Sequence, residues 1–203
     1  MSYYELATLD TVIFGAGKCA GPIEAWCGAG QGRLLGAWGT DIGRLNRIFV
    51  LRGFDEAGQM LEERQRALLS DDPWGCSAHL VGLTMESHRA FDFLPPVVPG
   101  SFGPVYEFRT YHTHLAGIAP TMAKWAEAVP GREAYSKLTV AMYGLDGAPR
   151  VTQIWPYESL AARSEARARS VADGKWPPKG GPDWLRPEMT SQIALPLPFS
   201  PLK

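Results

Sequence analysis

Residues 106–114 read Tyr-Glu-Phe-Arg-Thr-Tyr-His-Thr-His, and six of these nine side chains titrate. The alternation reads as a β-strand with Glu107, Arg109 and Tyr111 on one face and Tyr106, Phe108, Thr110 and His112 on the other. A glutamate and an arginine two residues apart on one face can form a hydrogen-bonded pair, bind a carboxylate or polarise a carbonyl. The same two residues serve equally as an ion pair that fixes strand geometry. His112 and His114 supply two candidate metal ligands. His79, His88 and the cysteines Cys19, Cys27 and Cys76 show no spacing that would complete the set, so no metal site is expected. His88, within Met-Glu-Ser-His-Arg-Ala-Phe, could act as a general acid or base, as an axial haem ligand, or as a core or surface histidine. Alternation does not say which way it faces. No nucleophile elbow, phosphate-binding glycine loop or paired-carboxylate motif occurs.

The elements that must position these groups occur twice. Tyr-Glu-Leu-Ala-Thr-Leu-Asp from Tyr4 matches the strand from Tyr106, and Glu62–Trp74 matches Glu165–Trp176, keeping Arg64 and Arg66 against Arg167 and Arg169. Ile48 and Met85 open two further matches, with Val151 and Met189, all at a period of about a hundred residues. A Pro/Gly-rich stretch, Phe93–Pro104, separates the copies and reads as a semi-rigid linker. The expected units are 1–94 and 105–203, joined by 95–104.

Each copy carries strand, helix, two strands, helix, strand. The expected strands are 3–11, 33–40, 46–54 and 84–94, then 105–112, 137–143, 150–157 and 189–197. The first helix of copy one is weak, with Pro22 placed in its first turn. Its second helix is expected to be capped by Asp55, with Ala57, Leu61 and Leu68 on the buried stripe. Leu160, Ser164, Ala168 and Val171 form the corresponding stripe in copy two. This order is the ferredoxin-like βαββαβ unit. Cys19 and Cys27 read as small core residues, and Trp74 and Trp176 as seals after the second helices.

Composition bounds the function. The chain has 203 residues, a formal net charge of −1, 45% hydrophobic and 20% charged residues, which suits a globular core and gives no reason to expect nucleic-acid or membrane-surface binding. No apolar run reaches a membrane span and no secretory leader is read at the start. Three cysteines without a Cys-x-x-Cys pair favour reduced thiols, so a cytoplasmic protein is expected.

Three stretches carry a resemblance to a known family. Tyr106–Gly117, the hairpin Leu34–Glu56 and the helix with its Asp-Pro-Trp sequel at Arg64–Trp74 resemble NIPSNAP domains in order and spacing. The resemblance implies a tandem form of the dimeric α+β barrel superfamily: two ferredoxin-like units in one chain, packed as an intramolecular α+β barrel. The apolar pair Leu6 and Phe108 then suits the helix-covered side. Glu107, Arg109 and Tyr111 would point into the barrel, where related proteins keep their ligand cavity. There, Trp38 is a candidate wall or core residue, Asn46 a brace for the hairpin turn, and Arg52 either a cavity cation or a solvated strand-end cation. The implied function is binding, with or without conversion, of a small hydrophobic or aromatic molecule, with Glu107, Arg109 and Tyr111 as polar groups and His88 as proton carrier. A non-catalytic interaction module is the alternative from another class. A haem-binding or cofactor-free monooxygenase-type enzyme is the other. No cofactor is demanded by the sequence, haem is left open, and association into a homo-oligomer is compatible with it.

Overall fold

The computed structural model describes residues 3–203. The first half runs β1 (Tyr3–Thr11), α1 (Ala16–Ala29), β2 (Arg33–Ile42), β3 (Arg47–Phe54), α2 (Ala57–Leu68) and β4 (Leu80–Ala90). The second runs β5 (Val105–Thr113), α3 (Ile118–Arg132), β6 (Val140–Gly144), β7 (Arg150–Tyr157), α4 (Leu160–Ala172) and β8 (Leu185–Pro196). All eight strands close into one antiparallel barrel in the order β1-β3-β2-β8-β5-β7-β6-β4. Each half supplies a ferredoxin-like sheet, and the two join edge to edge where β2 meets β8 and β4 meets β6. Closure pairs the outer strands of one sheet with those of the other and so shortens the free edges.

The barrel is filled by side chains rather than hollow. Phe49 and Phe108 stack at 4.5 Å between ring centres, and Trp38 packs on Phe108 at 5.1 Å and on Tyr106 at 5.2 Å. Tyr4, Leu6, Leu51, Met142 and Ile154 complete this core. Leu6 and Phe108 therefore face inward, and Glu107, Arg109 and Tyr111 face the helices, the reverse of the sequence expectation. The cause is electrostatic. A buried carboxylate on strand one needs guanidinium partners, and in the second half α4 supplies two of them, so the carboxylate must look toward the helix.

One end of the barrel is plugged by the linker and by Ser200–Lys203. The Val97 N–H donates to the Tyr4 hydroxyl at 3.2 Å, and the Tyr106 hydroxyl donates to the Lys203 carbonyl at 3.2 Å. Gly100 and Leu202 form a parallel bridge between the two segments. The linker is thus a structural part of the barrel.

The helices correct three further expectations. Pro22 lies inside α1, not in its first turn. The cap of α2 is Glu56, not Asp55, in a capping box with Gln59. Both expected apolar stripes are rotated outward: α2 buries Met60, Glu63 and Ala67 and leaves Leu61 and Leu68 exposed, while α4 buries Ala166 and Ser170 and leaves Leu160 and Val171 exposed. Charged contacts with the sheet override the hydrophobic pattern on both helices. Strand β4 also starts earlier than expected, at Leu80, and ends at Ala90 because a turn follows at Phe91.

Replacing the central ring, Phe108→Ala, should lower the unfolding free energy by about 3–5 kcal/mol in urea denaturation, the cost typical of emptying an aromatic site in a core.

Candidate functional site

The polar residues of β5 form one continuous chain of contacts on the helix side of the sheet. Arg109 Nη1 donates to Glu107 Oε1 at 2.5 Å, and Arg109 Nε donates to the Tyr111 hydroxyl at 2.6 Å. Glu107 Oε1 also accepts from Arg163 Nη2 of α4 at 2.5 Å and from Ser191 Oγ of β8 at 2.7 Å. Arg167 Nη1 lies 3.8 Å from the other carboxylate oxygen. Burial alone would raise the Glu107 pKa, but the hydrogen bonds from Arg163 and Ser191 and the charge of Arg109 outweigh it and hold the carboxyl at about 2. Glu107 is therefore an anion fixed at the centre of a guanidinium cluster.

The chain ends at an opening. Tyr111 lines a cavity of about 370 Å³ between the sheet, the start of α3 and the segment from Trp176 to Met189. Trp125, Trp176 and Trp184 supply aromatic walls, and Trp176 meets Trp125 edge-on at 4.9 Å. Thr121 also lines it; this residue is 2% exposed, and its Oγ1 has no hydrogen-bond partner among the described residues. The covering segment is tied to the end of β5, where the His114 N–H donates to the Trp184 carbonyl at 2.9 Å. Gly117 permits that closeness: a Cβ there would come within 2.8 Å of the same carbonyl. A comparable groove of about 390 Å³ lies between the linker and the end of α3, but it touches none of the Glu107–Arg109–Tyr111 chain.

The first half lacks the opening. Leu9 stands where Tyr111 stands in the second copy, and it packs with Cys19, Ile23 and a wholly buried Trp74. Glu5 keeps the position of Glu107 but takes its cation from β3. Arg52 Nη2 lies 2.7 Å from Glu5, and Arg52 Nη1 lies 2.7 Å from Glu63 of α2. Arg52 is completely buried over the Trp74 ring, so it is neither a cavity cation nor a solvated one.

The remaining candidates fall elsewhere. Trp38 belongs to the barrel core. Asn46 sits at φ 54° in the β2–β3 turn, and its carbonyl accepts from the Thr11 N–H at 2.7 Å. His88 is buried on the barrel side of β4, opposite Tyr4, and is separated by the sheet from Glu107, Arg109 and Tyr111. Its Nδ1 lies 3.2 Å from the Glu86 carbonyl and its Nε2 has no partner among the described residues. Burial, reinforced by the Arg150 charge, lowers its pKa to about 4, so the ring is neutral near pH 7. His112 shares the barrel face, in register with Arg150, whereas His114 lies beyond the strand. No cluster of three metal-binding side chains occurs among the described residues.

The sequence pattern did not single out Arg163, Ser191, Thr121 or Trp184. Arg167 was visible only as one half of a repeated arginine pair. The signal available for α4 was that Arg163 and Arg167 recur four residues apart, which places them together on one helix face.

An eight-stranded barrel made from two βαββαβ units, with helices outside, defines the α+β barrel class. Solved structures share it over the whole chain. An anthrone oxidase-like protein superposes with a TM-score of 0.69 at 12% identity, covering 100% of this chain and 94% of that one. A monooxygenase candidate from Lactobacillus acidophilus NCFM gives 0.67 at 10% identity, covering 97% and 94%. Residues 106–201, the second half of the chain, match the NIPSNAP family model. A NIPSNAP family protein of unknown function from Agrobacterium tumefaciens str. C58 is 24% identical, covering 50% of this chain and 96% of that one, with a TM-score of 0.45. No curated protein matches the chain significantly.

The depressed Glu107 pKa has a signed consequence. An unfolded glutamate titrates near about 4.3, so this carboxyl contributes its full stability above that pH and loses it as pH falls toward about 2. Urea unfolding between pH 5 and pH 2 should show this fall, and Glu107→Gln should be less stable at pH 7 with a flatter slope across the window.

Proposed function

We propose that the cavity under α3 is the functional site and that it binds a flat, largely apolar small molecule. One observation carries this reading. An aromatic-walled cavity holds a buried threonine hydroxyl that has no partner among the described residues, and the equivalent place in the other copy is packed shut. Such pockets combine apolar walls with a few convergent polar groups, here Thr121 and Tyr111. The location differs from the sequence expectation: the space lies beside the barrel, behind β5, and not inside it. Glu107 and Arg109 act as positioning residues for Tyr111, which is the member of the chain that reaches the ligand. The two full-length fold neighbours suggest an oxidative conversion of the bound molecule as the reaction class.

Haem is not part of this proposal. His88 lines none of the larger cavities described above and stands within packed barrel wall, and His112 shares that face. A Soret shift on titration with haem would overturn this exclusion. Three buried free thiols support a reducing, cytoplasmic setting, and no helix among the described residues is long and apolar enough to cross a membrane.

A second reading, an interaction module, has its own support. The turns after β1 and β5 occupy equivalent places in the two copies and expose Phe14 (88%) and Leu115 (87%). Contacts between whole chains through these tips would give a homo-oligomer, which sedimentation of Phe14→Ser against the wild type would reveal.

The binding reading is tested with bicyclic and tricyclic aromatic compounds, followed by thermal shift and tryptophan fluorescence. Binding should quench emission, Trp184→Ala should weaken it by about tenfold, and Thr121→Val by a few-fold. A panel without a binder, or affinities that ignore both substitutions, would remove the cavity from consideration.

A further inference from the structure

We infer that the cavity selects molecules bearing an acidic hydroxyl on an aromatic ring and holds them as the oxyanion. This inference rests on the cavity being a ligand site, as proposed above.

The hydrogen-bond directions come first. The Tyr111 oxygen already accepts from Arg109 Nε at 2.6 Å, and its own proton has no acceptor among the described residues. What Tyr111 offers a ligand is therefore a donated O–H, and the ligand atom facing it is an acceptor. Arg109 polarises that O–H, because a guanidinium donating to the phenol oxygen makes its proton a better donor.

The charge distribution comes second. Among the described residues Glu107 is the sole carboxylate in the network behind Tyr111, and it faces Arg109, Arg163 and Arg167. Arg132 of α3 adds a fourth cation. It is 2% exposed, donates to the Tyr157 hydroxyl at 3.3 Å, and its buried Nη1 has no hydrogen-bond partner among the described residues. At the rim, Glu188 is engaged by Arg186 at 3.2 Å. Lys175, Lys179 and Asp183 of the covering segment are exposed, and half-buried Lys124 of α3 pairs with exposed Glu127. The balance behind the cavity is positive, and its apolar walls weaken screening. In the first half, by contrast, Arg52 and Arg66 meet Glu5 and Glu63, a neutral set, and buried Leu9 and Trp74 pack the layer beside it.

The ligand class follows from what the walls lack. A carboxylate or phosphate is best held by a two-pronged guanidinium clamp. Among the described residues Arg186 is the one arginine lining the cavity, and it is already paired with Glu188. One tyrosine donor amid three tryptophans instead suits a single oxygen on a flat ring. Binding shifts the hydroxyl toward its ionised form, and the proton leaves to solvent.

The test uses the full chain with 2-naphthol, 2-methoxynaphthalene and naphthalene-2-carboxylate. Absorption of bound naphthol, followed against pH, should show its ionisation midpoint falling by about one pH unit or more. At a pH near the free midpoint, 2-naphthol should bind about tenfold more tightly than the methoxy compound and more tightly than the carboxylate. Tyr111→Phe and Arg163→Gln should abolish or reduce the midpoint shift while the methoxy compound still binds. Naphthol bound with an unshifted midpoint, or a preference for the carboxylate, overturns this inference and leaves the binding site standing. Failure of all three compounds to bind overturns both.

Discussion

A glutamate buried on the first strand of each half is the constraint around which this protein is arranged. Glu5 and Glu107 are inaccessible to solvent, and a carboxylate so placed is tolerable only when guanidinium groups surround it. Each half answers that demand differently. The first uses Arg52 from β3 and extends the pair through Glu63 to Arg66, joining sheet and α2 in a charge-balanced network. The second uses Arg109 from the same strand and Arg163 from α4. Both helices consequently turn an ionic face inward and show leucines to solvent. Strand one is thereby oriented, and with its charged face committed to the helices its aromatic face has only the barrel centre to fill.

That single orientation also explains why duplication did not yield two equal sites. Where Arg52 stands in the first half, the second has Trp155 in the matching strand position, under the Arg132 guanidinium. Where Leu9 closes the layer in the first, Tyr111 opens it in the second. A neutral network beside a filled layer has little to offer a ligand, whereas a positive network beside an open one has both charge and room. The divergence lies in a few side chains on a common backbone plan.

Much of the backbone plan was legible in the sequence. Period-two alternation gave all eight strands, and the repeat gave their order in both copies, because burial on two faces of a sheet writes directly into the pattern. The faces were not legible. Alternation separates Glu107, Arg109 and Tyr111 from Tyr106 and Phe108 but carries no sign, and assigning the apolar set to the helix layer assumed that helices bury apolar stripes. Leu61 and Leu160 sat on the stripes that hydrophobicity marked, yet the buried sides of those helices follow Glu63 and the α4 arginines. Thr121 and Trp184 could not be found by local rules, since they meet only when the segment before β8 folds back over α3.

The seam between β2 and β8 has a consequence for how the chain is made. Trp38 pairs with Pro196 across most of the length of the chain, so the first sheet's open edge waits for the last strand to be synthesised. Contacts so distant in sequence form late and slowly. During that interval β2 presents unpaired backbone groups beside an exposed aromatic core, a surface prone to pairing with other chains. The proline-stiffened linker, itself part of the barrel plug, keeps the second half close to that edge. Two units on separate chains would face it at every encounter; fused in tandem, each nascent sheet carries its own partner.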